Sequence, residues 1–330
     1  MSASPATIVA LGAGRMGQGL AHVFAYAGHQ VTLVDLKDRA ASEFATTAEN
    51  AIAAIRSNLR DCAAAGLFAT DAIEQIMGRI QVLHRDDADA ALAQGDFLFE
   101  GVPEVIELKR DAFAHLTGRI RDDAIVTSTT STILADELAG FVDKPERFLN
   151  AHWLNPAYII PLVEVSPSTS THQEATDALL TLLHGIGKET VVCKASPGFI
   201  IPRIQALAMN EAARMVEEGV ASAEDMDRAI RYGFGFRFGV LGLVEFIDWG
   251  GGDILYYASH YLANALDAPR FEAPAIINQN MQSNRLGMKS AAGFYDYDGI
   301  DLDAYKADTL REFVGMLRHF GKATPPVLNE

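Results

Sequence analysis

The stretch TIVALGAGRMGQGLAHVFAYAGHQVTLVD, residues 7–35, constrains the fold more than any other part of the chain. It reads as a short apolar run (7–11), a glycine-rich turn, a segment with helical spacing at Leu20, Val23, Phe24 and Ala27 that stops at Gly28, and a second run (30–35). Short continuous apolar runs mark strands buried on both faces, as in a parallel sheet. Two such strands joined by a helix make a βαβ unit. Within it Gly12, Gly14 and Gly17 form G-x-G-x-x-G. Alone that pattern is weak, but directly after a strand and opening a helix it has a mechanism. The first glycine permits the tight turn, the second lets the backbone approach a pyrophosphate, and the third lets helix and strand pack closely. Free amides and the dipole of the helix N-terminus then favour the negative charge. Asp35 ends the second strand, where a carboxylate accepts bonds from ribose hydroxyls and repels a 2′-phosphate. Leu36 adds no compensating charge, while Lys37 and Arg39 work against that preference. NAD is therefore the expected cofactor, over NADP or FAD. Its expected contacts are Gly12, Gly14, Arg15, Met16, Gly17 and Asp35. A helix packed through glycine with no ligand is the bland alternative.

The pattern continues. A long helix is expected from Arg39 to about Gly66 and a shorter one from Thr70 to about Gly78. Strands are expected at 80–83, 96–102, 124–130 and 147–153, most of them separated by helical segments. This is an α/β Rossmann-type doubly wound sheet. Past Pro197 the character changes. FIIPRIQALAMNEAARMVEEG is a long amphipathic helix with Pro202 in its first turn, where proline is tolerated. SAEDMDRAIRYG is another, with Ser222 as N-cap. A glycine-rich loop and more helices, over 240–290, follow. The expected organisation is a nucleotide-binding domain over 1–194 and an all-α C-terminal domain over 195–330. The long apolar helix of the second domain is a candidate homodimer contact.

Composition removes several function classes. A formal charge of −16 disfavours nucleic acid and anionic membrane as partners. Two cysteines, Cys62 and Cys193, give no disulfide framework and suit a reducing cytoplasm. The N-terminus lacks the features of a signal peptide, and no apolar run is long enough for a membrane span. No metal is expected. The partner expected is a small molecule.

The stretch HWLNPAYIIPLVE (152–164) then poses a chemical question. Pro156 and Pro161 forbid a regular helix, so it reads as a strand end, a bend and a second strand, PLVEV. Buried polar groups without partners are costly. The bland reading is a histidine satisfied by a neighbouring carbonyl. With a nicotinamide cofactor another reading opens, because oxidation of an alcohol leaves a proton to remove and imidazole titrates near neutrality. His152 and Asn155 fall at a strand's carboxyl end, where ligands of such folds lie. Glu164 is placed to hold the other imidazole nitrogen, and Ser131 to bond the substrate oxygen.

These residues carry a resemblance. From Val9 to about Tyr297 the chain resembles the NAD-dependent L-3-hydroxyacyl-CoA dehydrogenase family. The family pattern H-x-x-N-P followed by L-V-E reads here as HWLNP and PLVE, with twelve residues from His152 to Glu164 and twenty-one from Ser131 to His152. The resemblance implies His152, Glu164 and Ser131 as catalytic residues, with Asn155 also at the cofactor. EGVPEVIELK matches the cofactor motif E-x-x-x-E-x-x-x-x-K and implies Glu104 and Lys109 as contacts of the nicotinamide half. MKSAAGFYDY matches K-x-G-x-G-F-Y and implies Lys289. The implied activity is oxidation of a short L-3-hydroxyacyl substrate of the 3-hydroxybutyryl-CoA type.

Two departures stand out. Pro202 replaces the asparagine of P-G-F-x-x-N-R, and proline cannot donate that side chain's hydrogen bond. HWLNPAYIIPLVE and GFGFRFGVLG also resemble a branch acting on free hydroxy acids, which includes L-gulonate 3-dehydrogenase, lambda-crystallin and carnitine dehydrogenase. There Arg237 would clamp a carboxylate in the substrate site. The helix over 40–66, where the family grips CoA phosphates, offers only Arg56 and Arg60. A crystallin-like NAD-binding protein with little turnover is the alternative of another class.

Overall fold

Eight apolar segments pair into one sheet: β1 (Thr7–Leu11), β2 (Gln30–Asp35), β3 (Ile80–His84), β4 (Phe97–Glu100), β5 (Ile125–Ser128), β6 (Phe148–Trp153), β7 (Leu162–Pro167) and β8 (Glu189–Val192). In the computed structural model, which describes residues 5–327, their order is β3-β2-β1-β4-β5-β6-β7-β8. All neighbours are parallel except β6 and β7, which form an antiparallel hairpin. The period-two geometry of a strand sends alternate side chains to opposite faces. On β1, Ile8 and Ala10 accordingly join one apolar core and Val9 and Leu11 the other. An aromatic cluster organises the first: Phe24 lies 5.0 Å from Phe99 and 5.8 Å from Trp153, ring centre to ring centre.

Helices α1 (Arg15–Tyr26), α2 (Ala41–Ala64), α3 (Ile73–Met77), α4 (Asp89–Gln94), α5 (Ile106–Ala114), α6 (Ala135–Ala139) and α7 (Gln173–Gly185) connect the strands. The expected helices over 39–66 and 70–78 correspond to α2 and to a 3₁₀ turn running into α3. Strand β8 and helix α7, which carry few sequence signals, complete the sheet beyond the hairpin.

The chain divides into two compact units between Met209 and Asn210, inside α8 (Ile201–Glu217). The second unit is helical: α9 (Ala223–Ala229), α10 (Phe236–Phe238), α11 (Leu243–Gly250), α12 (Gly252–Ala265), α13 (Ala275–Gln282) and α14 (Leu302–His319). Ser222 caps α9 as expected, its hydroxyl accepting from the Asp225 amide at 3.1 Å. The glycine-rich loop expected after it is instead helical. A π-helical turn over Ile230–Gly235 joins α9 to α10. Gly235 holds ordinary helical backbone, with φ −62° and ψ −40°. Tertiary packing selects that state: Phe234 lies edge-on to Phe238 at 4.5 Å, and Phe236 stacks on Phe313 at 5.7 Å.

Asp248 anchors the segment after α13. Its buried carboxylate accepts from the amides of Phe294 and Tyr295 at 3.0 and 2.8 Å, and from the Tyr297 hydroxyl at 3.3 Å. Among the described residues no helix is long and apolar enough to cross a membrane.

Candidate active site

A cleft of about 970 Å³ opens at the carboxyl ends of β1, β2 and β4. It lies where the strand order reverses between β1 and β4, the place where ligands bind in open α/β sheets. Gly12, Gly14, Arg15 and Met16 line it at the start of α1. No side chain caps the first turn of α1 and no acidic residue stands in it. Its amides are therefore available to an anion. A Cβ added at Gly14 would meet nothing within 4 Å, so that backbone edge is open to a ligand. Gly17 acts differently. A Cβ there would fall 2.0 Å from the Gly12 carbonyl oxygen and 2.8 Å from a Leu33 methyl, so glycine is required for helix and strand to approach.

Asp35 is buried at the end of β2 and lines the cleft. Arg39 donates to its carboxylate at 2.7 Å and also lines the cleft. Open amides and a carboxylate lining one cleft fit a dinucleotide. When bound, its nicotinamide would supply the hydride acceptor.

Glu104, Ser131 and Asn155 line the same cleft. One carboxylate organises this wall. Oε1 of Glu104 accepts from the amides of Ser131 and Thr132, both at 3.0 Å, and from the hydroxyls of Thr130 and Thr132. Burial alone would raise the Glu104 carboxyl, but the Thr130 bond, the Lys109 charge and the Thr132 bond outweigh it and hold it below the usual range.

Lys109 does not reach the wall. Its ammonium is fully buried, 3.0 Å from both oxygens of Glu100 and 3.3 Å from Glu104. It acts on the cleft by holding Glu104. Glu100 was not singled out from the sequence, although an acid ending an apolar strand was a visible signal. It accepts from the Val102 amide at 2.7 Å and from the Ser128 hydroxyl. Burial pushes its carboxyl up, against the pull of Lys109 and these bonds.

His152 and Glu164 lie in the hairpin just before and after the bend carrying Asn155. They are cross-strand partners, so both side chains leave the same face of the sheet. The twelve-residue interval is thus the register of an antiparallel pair. His152 Nδ1 lies 2.8 Å from Glu164 Oε2. The other oxygen of Glu164 accepts from the Ile200 and Ile201 amides, each at 2.9 Å. With Nδ1 donating to the carboxylate, Nε2 is the basic nitrogen. Neither residue lines the cleft; both are buried.

Phe199 covers the imidazole, its ring stacked at 5.3 Å and 9°. It also holds φ at +44°, rare for a bulky residue. The amides that follow it bind Glu164, which ties this conformation to the His152–Glu164 pair. The motif around Phe199 is legible in the sequence, but spacing does not reveal where its ring lies.

The remaining candidates lie in the second unit. Arg237 in α10 stacks its guanidinium over Phe246 at 4.4 Å. Lys289 pairs with Asp253. Among the described residues no cluster of three or more His, Cys, Asp or Glu could hold a metal ion.

Comparison with known proteins places this geometry in context. The family model described as 3-hydroxyacyl-CoA dehydrogenase, NAD binding domain, matches residues 7–196. That described as 3-hydroxyacyl-CoA dehydrogenase, C-terminal domain, matches residues 198–297. A 3-hydroxybutyryl-CoA dehydrogenase of Bradyrhizobium diazoefficiens is 33% identical over 290 residues, 88% of this chain and 94% of the relative. The 5-formyl-3-hydroxy-2-methylpyridine 4-carboxylate 5-dehydrogenase of Mesorhizobium japonicum is 31% identical over 315 residues, 94% of this chain and 97% of that one. Among solved structures, a 3-hydroxyacyl-CoA dehydrogenase from Archaeoglobus fulgidus superimposes with a TM-score of 0.73 at 28% identity, covering 96% of this chain and 99% of that chain.

The position of Asp35 predicts cofactor choice. Opposing like charges at such a site cost several kcal/mol, so kcat/KM with NAD should exceed that with NADP by about tenfold or more. Asp35→Ala should narrow the ratio by leaving Arg39 unpaired. Equal values for the two cofactors in the unaltered protein would contradict this assignment.

Proposed function

Since the chain belongs to the 3-hydroxyacyl-CoA dehydrogenase family and is an NAD-dependent oxidoreductase, we propose that it oxidises the 3-hydroxyl of a short L-3-hydroxyacyl substrate of the 3-hydroxybutyryl-CoA type. The observation that carries this reading is the buried His152–Glu164 pair beside a dinucleotide cleft.

Nε2 of His152 takes the proton of the substrate hydroxyl as the carbonyl forms. Glu164, donating no proton itself, holds the imidazole in the tautomer with Nδ1–H and stabilises the imidazolium that results. The Ile200 and Ile201 amides keep that carboxylate from turning away. Ser131 bonds the substrate oxygen, and Asn155 positions the nicotinamide against it. Glu104 serves Ser131 by fixing the backbone on which it stands.

A second reading, a free hydroxy acid as substrate, has specific support. On α2, Arg56 is already engaged by Glu74, which weakens the grip available for CoA phosphates. The Mesorhizobium relative is named for a pyridine carboxylate. Here Arg237 would clamp the carboxylate.

We also propose a homodimer contact through the long helix α8, where Leu207 and Met209 are 58% and 65% exposed, joined by α12, where Ile254, Tyr257 and Tyr261 are 63%, 61% and 72% exposed. The free thiols of Cys62 and Cys193 suit a cytoplasmic setting.

His152→Ala should lower kcat about 10²–10⁴-fold, the usual worth of general acid–base catalysis, with NADH affinity nearly unchanged. Retention of more than about a tenth of the turnover would require another base.

The substrate handle is separable. With a free acid as substrate, Arg237→Met should raise KM about ten- to a hundredfold through loss of a charge-assisted pair, leaving a CoA thioester unaffected. With CoA as the handle, a double Arg56/Arg60 variant should raise KM for the thioester instead. Unchanged KM values in every combination would place the handle elsewhere.

A further inference from the structure

Lys188, immediately before β8, has an unusual setting. It is 7% exposed, and its ammonium donates to the carbonyl oxygens of Ala157 and Ile160, both at 2.7 Å. It lies over the Trp153 ring, 5.6 Å from its centre. Burial lowers its pKa, and among the described residues no carboxylate pairs with it. A buried lysine without a counter-ion is expensive and is retained only where its bonds matter.

The carbonyls it holds belong to the bend between His152 and Glu164, the segment that presents Asn155 to the cleft. Two further contacts fix the same bend to α1. Tyr158 stacks on His22 with rings parallel and centres 4.4 Å apart. Ala157 packs on Gly19, where an added Cβ would meet the Ala157 Cβ at 3.3 Å. Burial and the Lys188 charge lower the His22 pKa to about 4, so the stacked ring is neutral at pH 7. The bend's own bonds are few: the Ile159 and Ile160 amides both donate to the Pro156 carbonyl at 3.0 Å. It therefore depends on β8 and α1 for its shape. Helix α1 also supplies the amides that face the cofactor. Tying the bend to it sets Asn155 relative to the dinucleotide.

We infer that Lys188 is a positioning residue, whose ammonium holds the Ala157 and Ile160 carbonyls so that Asn155 meets the nicotinamide end of the cleft. This rests on the dehydrogenase reading above for its catalytic consequence, but the clamp itself does not. In Lys188→Met, a side chain of similar length without donors, the bend loses both bonds while the apolar stem remains.

Two measurements test it. Hydrogen exchange, which needs no substrate, should show the Ile159 and Ile160 amides exchanging about tenfold faster in Lys188→Met, with the β6 and β7 amides unchanged. Unchanged exchange at the bend would overturn the clamp. Turnover then tests the consequence through a double-mutant cycle with Asn155→Ala. Lys188→Met should lower kcat about tenfold in the native background and by less than about twofold when Asn155 is already alanine. A folded Lys188→Met within twofold of full kcat, or losses that multiply in the double variant, would overturn the positioning role. If Lys188→Met does not fold, Lys188→Gln, which keeps one donor group, should show the same ordering at smaller size. Failure of the dehydrogenase reading would appear separately, as no NADH formation by the unaltered protein from any 3-hydroxyacyl thioester or free 3-hydroxy acid, with the exchange result unaffected.

Discussion

The carboxylate of Glu164 is the interaction on which the site depends. It is fully buried, and each oxygen is used. One faces Nδ1 of His152 across the hairpin, and the other accepts two amides at the start of α8. Burying a carboxylate is costly unless its lone pairs are met, and a helix N-terminus meets them with a favourable dipole. The same bonds hold the backbone after Phe199, whose ring then covers the imidazole. Strand register, helix start and aromatic cover are therefore one arrangement, and loss of the carboxylate would loosen all three.

A second buried ionic group supports the other side of the cleft. Lys109 lies between Glu100 and Glu104, and Glu104 in turn gathers the Ser131 and Thr132 amides. The lysine is buried and does not line the cleft, but it fixes the carboxylate that fixes the serine-bearing loop. Lys188 plays the comparable part beneath Asn155. Ser131 and Asn155 thus stand on loops braced by buried lysines, and His152 is held by a buried carboxylate, a design that lowers the motion available to the reacting groups.

Much of this was legible in the sequence, and the parts that were not share a cause. The βαβ unit announced itself because strand, glycine turn and helix are local. The His152–Glu164 relation was legible because a hairpin converts spacing into register. The helical character of 230–238 was not, since glycines suggest a loop and only packing among Phe234, Phe236, Phe238 and Phe313 decides otherwise. Lys109 matched a cofactor motif, yet its burial depends on Glu100, nine residues earlier, folding back above it. Lys188 and Phe199 act through partners far along the chain that no periodicity reveals. Local patterns located the chemistry; long-range contacts determine what holds it in place.

Removal of the substrate proton by a carboxylate-held imidazole is tested most directly by the single-turnover rate of NADH formation in Glu164→Gln, with NADH affinity measured beside it. Glutamine preserves the shape, but its single carbonyl oxygen can accept from Nδ1–H or from the helix amides and not from both, and it cannot stabilise the imidazolium charge. The rate should fall about 10²–10⁴-fold with affinity changed by less than about threefold. A Glu164→Gln protein forming NADH within about threefold of the unaltered rate would contradict it.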